Sequence, residues 1–225
     1  MHSGTKYFGG HSDMLCGVLA VSPISRPKKV FEDAYWELYR ERLHLGSVMG
    51  SFEGWLGVRS LRTLELRVLR QSASAGELVR WLNACLTNPA SQDGNITDDD
   101  ASLIRATIST LNHASLQTTD IASGWLPAQM PRGYGPVFSI LMRNASFARR
   151  LPSKLRLFQH ATSLGGVESL IEWRRMSDAG VDDRLVRVSV GVEDVGDLKE
   201  DLREGFRALV EEMREQGKGQ KEDGS

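Results

Sequence analysis

Beyond Pro131 the hydrophobic period switches back and forth, and this switching limits the fold more than any other feature of the chain. Val137–Met142, Leu155–His160 and Val186–Val190 are apolar runs of strand length, and in the last of them Val186, Val188 and Val190 alternate with Arg187 and Ser189. Alternation at period two sends one set of side chains to a core and the other to the opposite face. Each run is followed by residues at helical spacing, first within Glu168–Trp173 and most clearly in Leu198, Leu202, Phe206, Leu209 and Met213. Strands interleaved with helices predict an α/β domain. On the last helix Glu200 and Arg203, Glu204 and Arg207, and Glu211 and Arg214 read as a solvated face. After Gln216 the composition is polar and glycine-rich, which predicts a disordered tail over 217–225.

Upstream the pattern is mostly helical. Trp36, Tyr39 and Leu43 share one face of a predicted helix that Gly46 and Gly50 end, and Ser51 is positioned to cap a short helix over Phe52–Val58. Leu61, Leu64 and Val68, then Leu78, Leu82 and Leu86, extend helical spacing to the neighbourhood of Cys85. Asn88–Asn95 is a loop by composition. Thr97 followed by Asp98, Asp99 and Asp100 marks a helix start, because a hydroxyl caps free amides and acids favour the positive end of the helix dipole. That reading is preferred to a metal site, which needs ligands from more than one element. At the other end, His2–Asp13 is too rich in glycine and hydroxyls for a regular element and predicts a loop feeding a buried strand, Met14–Val21, closed by Pro23 and Pro27.

Bulk properties narrow the partners. The chain has 225 residues, 40% of them hydrophobic, with 28 basic and 29 acidic side chains, so no net field gathers nucleic acid or anionic lipid. It lacks an apolar run long enough to span a bilayer, and neither a signal peptide nor a transmembrane segment is expected. Cys16 and Cys85 both sit in apolar runs, as reduced packed thiols of a cytoplasmic protein would.

In Ser3-Gly4-Thr5-Lys6 an amine able to form a Schiff base stands beside hydroxyl and amide donors suited to a phosphate, although by itself such a loop reads more often as a plain surface turn. Its spacing is not that of a Walker loop. Arg187, in the alternating strand, faces either solvent or a site. Arg59, Arg62 and Arg67 read as helix-surface or domain-tethering charges, and His11 and Asp13 as residues that fix their loop. His113 and His160 read as structural or exposed.

Four segments in order carry a resemblance. The loop Ser3–Asp13, the helical stretch Trp55–Arg67, the motif Ser163-Leu164-Gly165-Gly166-Val167-Glu168-Ser169-Leu170-Ile171 and the strand Val186–Val195 together resemble the pyridoxal-phosphate enzymes of cysteine and methionine metabolism, the trans-sulfuration family. The resemblance implies a C-terminal half of a fold-type I enzyme: the edge of a large parallel-sheet domain followed by a smaller α/β domain with an antiparallel sheet. Residues 1–60 would be the large-domain remnant with the cofactor lysine, 61–216 the substrate-side domain. It further implies that Lys6 holds pyridoxal 5'-phosphate and moves protons on the substrate, that Ser3 and Thr5 bond the phosphate, and that Arg187 with Ser163 binds the substrate α-carboxylate; no metal is implied. The implied substrates are sulfur-containing amino acids, cystathionine-like or O-acylhomoserine-like, in a homo-oligomeric parent enzyme.

Family elements that lie upstream of the lysine motif, namely an acid for the pyridine nitrogen, a stacking ring and a cross-subunit tyrosine and arginine, would precede Met1. Weak binding and turnover by this chain alone, and apolar surface left uncovered, are therefore expected, and the alternative to an enzyme is a non-catalytic remnant or interaction module. Two motifs depart from the family. Asn112–Gln117 stands where relatives carry "YPGL", and Arg174-Arg175 lies where "HP" is common. Thr162 occupies a position associated with reaction preference, which leaves elimination and replacement both open.

Overall fold

The structure, a computed structural model, describes residues 1–22, 28–87 and 97–222. The chain forms two compact units, Met1–Glu65 and Leu66–Ser225.

In the first unit a two-residue strand β1 (His2–Ser3) pairs antiparallel with β2 (Gly17–Val18), and a π-helical turn, Thr5–Gly9, lies between them. Regular structure thus enters a segment that its glycines mark as loop. The expected buried strand Met14–Val21 contracts to β2, and Leu15 and Leu19 are 82% and 62% exposed. A strand is only as long as its partner, and β1 offers two residues. Pro23 and Pro27 lie outside the described residues.

Helix α1 (Lys28–His44) ends before Gly46, whose φ of 67° is left-handed. Helix α2 (Ser51–Leu61) begins one residue earlier than expected: Ser51 is inside it and Gly50 holds the cap position without a side-chain bond. Trp36, Tyr39 and Leu43 do share a face, but that face is exposed, as are Phe52 and Trp55. Among the described residues of this unit only Met14 and Leu56 are buried apolar side chains.

The second unit contains the core. Helix α3 (Leu64–Thr87) brings in Leu78, Val79 and Leu82; α4 (Asp98–Thr107) adds Ile104. Thr97 caps α4 as predicted, its Oγ1 accepting the Asp100 N–H at 3.1 Å. Asn88–Asn95 lies outside the described residues. The chain passes from α4 directly into β3 (Ile108–Asn112), a strand with no signal in the sequence reading. After short helices α5 (Thr118–Ala122) and α6 (Trp125–Gln129) come β4 (Val137–Met142), α7 (Ala145–Arg150), β5 (Gln159–His160), β6 (Leu170–Trp173), β7 (Leu185–Ser189) and α8 (Val195–Glu222). Strands stand in the order β3-β4-β7-β6-β5, antiparallel except for β5 with β6.

One face of this sheet carries Phe138, Ile140, Val186, Val188 and Ile171, buried with Leu198, Leu202 and Phe206 of α8. Each such side chain contributes about 1.5–3 kcal/mol by leaving water.

Three local expectations change here. Glu168–Trp173 is not a helix: Leu170–Trp173 is β6, flanked by β5 and β7, and a short run buried on both faces has no period to distinguish it from a helix. Leu155–His160 is strand only at its end. The Asp201 carboxylate accepts the N–H groups of Arg156, Leu157 and Phe158 at 2.8, 3.0 and 3.2 Å, so those amides are spent on α8 rather than on a ladder. Helix α8 itself continues to Glu222, into the segment predicted as a polar tail.

Cys16 and Cys85 are free thiols, half-buried and fully buried respectively. Burial, with the Asp100 charge adding to it, pushes the Cys85 thiol up to about 11. Ellman's reagent at pH 8 should therefore count one thiol in the native chain and two in denaturant. Two fast native thiols would mean that the packing around Cys85 opens readily.

Candidate active site

The lysine loop is shaped by backbone contacts. Gly4 N–H donates to the Cys16 carbonyl at 2.8 Å, and a Cβ at Gly4 would overlap Cys16 Sγ, so any larger residue there would have to displace the Cys16 side chain. Gly9 N–H returns to the Gly4 carbonyl and Gly10 N–H to the Lys6 carbonyl, each at 2.7 Å. The turn therefore closes on both sides of Lys6. Lys6 itself leaves helical geometry at φ −80° and ψ −111° and is half-buried. Thr5 Oγ1 accepts the Cys16 N–H at 3.2 Å, which occupies a lone pair but keeps the hydroxyl proton for donation. Ser3 is exposed. His11 Nδ1 lies 2.7 Å from the Gly9 carbonyl, and Asp13 lies 3.9 Å from Arg59, so both act on the loop's shape. Two hydroxyls and an amine within four residues form a donor set that fits a phosphate-bearing aldehyde.

The second unit builds a different cluster, on the sheet face opposite the core. Direct pairing puts Ser139 of β4, Arg187 of β7 and Glu172 of β6 in one row across three strands. Arg187 Nη2 donates to the carbonyls of Thr162 and Ser163 at 2.6 and 2.8 Å, and the same nitrogen forms an ion pair with Glu172 Oε2 at 2.8 Å. Among the described residues Nη1 and Nε of Arg187 have no acceptor. The guanidinium is thus anchored at one nitrogen and keeps the N–H donors of the other two. Burial lowers the Arg187 pKa, opposed by the charge of Glu172.

Glu172 is fully buried and accepts two side-chain hydrogen bonds, from Arg174 Nη1 at 2.8 Å on Oε2 and from Ser177 Oγ at 2.5 Å on Oε1, with Arg187 Nη2 paired by charge 2.8 Å from Oε2. Burial alone would raise its pKa. The Ser177 and Arg174 hydrogen bonds and the charges of Arg187 and Arg174 outweigh that and hold it below the ordinary glutamate value, so Glu172 is a carboxylate at neutral pH.

The Ser163–Ser169 loop is fastened from several directions. Ser189 Oγ accepts the Gly165 N–H at 3.0 Å, Gln71 Nε2 donates to the Gly166 carbonyl, and Glu193 accepts both the amide and the hydroxyl of Ser169.

Of the residues singled out from sequence, Ser3, Thr5 and Lys6 lie together in the first unit, and Ser163 and Arg187 lie together in the second. Glu172 and Ser177 were missed because the segment carrying Glu172 reads as a helix, in which it would not stand opposite Arg187. Arg67 is buried, with its pKa lowered by desolvation, and so is no surface charge of α3. Among the described residues no helix is long and apolar enough to cross a membrane, and no cluster of His, Cys, Asp or Glu is placed to hold a metal ion.

A mixed sheet backed by helices, with a hydroxyl-flanked lysine turn preceding it, defines an α/β chain of the fold-type I pyridoxal-phosphate class. More narrowly, the chain belongs to the Cys/Met metabolism PLP-dependent enzyme family, which it matches over residues 1–207. It is 30% identical over 221 residues to cystathionine gamma-lyase of Saccharomyces cerevisiae, and 33% over 223 residues to cystathionine gamma-synthase of Escherichia coli. In both cases 92% of this chain aligns with 49% of the relative, so the chain spans about half the length of the curated relatives it matches. Among solved structures, a methionine gamma lyase from Micromonospora echinospora superposes with a TM-score of 0.70 at 30% identity, covering 91% of this chain and 48% of that one.

Proposed function

We propose that this chain carries the cofactor lysine and the substrate-carboxylate arginine of a pyridoxal-phosphate-dependent trans-sulfuration enzyme acting on carbon–sulfur chemistry of cystathionine-like or O-acylhomoserine-like amino acids. The observation that carries the reading is the closed turn Gly4–Gly10, in which a half-buried amine follows directly on a hydroxyl with its proton still to donate. Lys6 would hold the cofactor covalently and, once displaced by the incoming amino acid, would carry a proton to or from the substrate α-carbon. Thr5 and Ser3 would donate to the phosphate. Pyridoxal phosphate, when bound, supplies the electron sink that makes loss of that proton feasible. Arg187 would meet the α-carboxylate through Nε–H or Nη1–H, the donors its carbonyl anchors leave over, with its charge supplying the attraction, and Ser163 would assist at the same carboxylate.

Lyases and synthases both appear among the relatives, so elimination and replacement are proposed together. A homo-oligomeric parent is supported by the exposed aromatic face of the first unit, with Trp36 at 52% and Trp55 at 60% exposure. The two free thiols suit a cytoplasmic setting.

Incubation with pyridoxal phosphate, borohydride reduction and peptide mapping test the reading. Label should fall on Lys6 and vanish in Lys6→Ala. Label absent, or scattered over surface lysines equally in both proteins, would leave this chain without a cofactor site of its own and favour an interaction module.

A further inference from the structure

The carboxylate cluster contains more charge than its task requires. Arg187 Nη2 and Arg174 Nη1 each stand 2.8 Å from the same oxygen of Glu172, a carboxylate with no solvent exposure, Arg174 hydrogen-bonded to it and Arg187 paired with it by charge. Had Glu172 only Arg187 for a partner, the pair would be close to neutral and would attract an incoming carboxylate weakly. With Arg174 sharing the same oxygen, the trio keeps a single net positive charge, and it lies where Arg187 still has open N–H groups. Arg175 is directed elsewhere, its Nη1 donating to the carbonyls of Ala179 and Val181. Glu193 is committed to Ser169 on the far side of the loop. Nor is Arg174 needed to fill the core: its side chain is 26% exposed, at the start of a 3-10 turn.

We infer that Arg174 is a positioning and charge-setting residue of the substrate-carboxylate site: by taking half of the Glu172 charge, it leaves Arg187 cationic toward the ligand while Glu172 fixes where Arg187 points. The inference rests on the reading of Arg187 as the carboxylate clamp. It also gives a role to the departure at Arg174-Arg175, which the family resemblance leaves unexplained. Because the effect is electrostatic, it depends on the sum of charges and not on the identity of either partner.

That dependence supplies the test. The Arg187 Nε–H resonance of the intact chain is followed in titrations with propionate, with propionamide as the uncharged control, in wild type, Arg174→Gln, Glu172→Gln and the double variant. Propionate should bind and propionamide should not. Arg174→Gln, which leaves Arg187 neutralised, should weaken propionate about fivefold, the size expected for one partly screened charge. Glu172→Gln can keep the hydrogen bonds, its carbonyl facing the arginines and its amide facing Ser177 Oγ, and should bind no more weakly than wild type. The double variant restores the original charge and should return to within about twofold of wild type. A purely structural role for Arg174 would leave the double variant no better than the single one, and that result, or an unchanged affinity in Arg174→Gln, overturns the inference. Arg187→Ala separates the two levels: if propionate, monitored at the Gly165 amide, still binds that variant, the clamp itself is misassigned and both readings fall.

Discussion

Replacing Arg203 by alanine should cost the second unit about 3 kcal/mol, the usual penalty for stranding one member of a buried ion pair. Arg203 reaches from α8 to α4 and grips Asp100 with two nitrogens, Nε at 2.7 Å and Nη2 at 3.0 Å. Asp100 is 3% exposed, and among the described residues its carboxylate has, besides Arg203, only the Trp81 indole N–H at 3.4 Å. The guanidinium also lies over the Trp81 ring at 5.2 Å, so its removal opens a packing gap as well. In a chain of this size the loss corresponds to a fall in melting temperature of about 10 °C. Arg207→Ala is the matched control on the same helix. Its partner Asp99 is 3.8 Å away and both side chains are largely solvated, so the change should be within about 0.5 kcal/mol. Thermal melts of the two variants decide the matter: equal melting temperatures would mean that Asp100 finds another donor or water.

That contrast shows what the sequence could and could not convey. Arg203 and Arg207 carry the same signature, an acid three residues upstream on an amphipathic helix, and a solvated face is a fair reading of both. Only the approach of α4 distinguishes them, and that approach is a tertiary fact. The same holds at the site. Arg187 was legible because a charged residue interrupts an alternating apolar strand, and Lys6 because hydroxyls and glycines flank it. Glu172 was not legible: its neighbours Leu170 and Ile171 are buried on both faces of a central strand, which removes the period that would have identified a strand. Once Leu170–Trp173 is a strand, antiparallel pairing with β7 brings Glu172 opposite Arg187 with no further assumption. Misreading one four-residue element thus concealed the acid and, with it, the meaning of Arg174.

A methyl group at position 191 should be at least as damaging as the loss of the Arg203–Asp100 pair. Gly191 follows β7 by two residues, and its N–H donates to Ser169 Oγ at 2.8 Å. A Cβ there would overlap the Val167 carbonyl oxygen and the Glu193 carboxylate and would stand 2.6 Å from the Glu168 carbonyl carbon. Two of those three neighbours are backbone and cannot swing aside, so relief requires the Ser163–Ser169 loop to shift as a body. The carbonyls of Ser163, which opens that loop, and of Thr162 just before it hold Arg187. Gly191→Ala should therefore do two things at once: destabilise the unit by about 3 kcal/mol or more, as overpacking against fixed atoms does, and release the arginine from its anchor. The same substitution at Gly76, inside α3 and with nothing within 4 Å of its Cβ, should instead stabilise by about 0.5–1 kcal/mol, because alanine loses less backbone freedom on entering a helix. Urea titrations of both variants, read beside the Arg187 Nε–H resonance, test the pair. A Gly191→Ala chain with wild-type stability and an unmoved Arg187 signal would mean that the loop is held less tightly than its hydrogen bonds to Gln71, Ser189 and Glu193 imply.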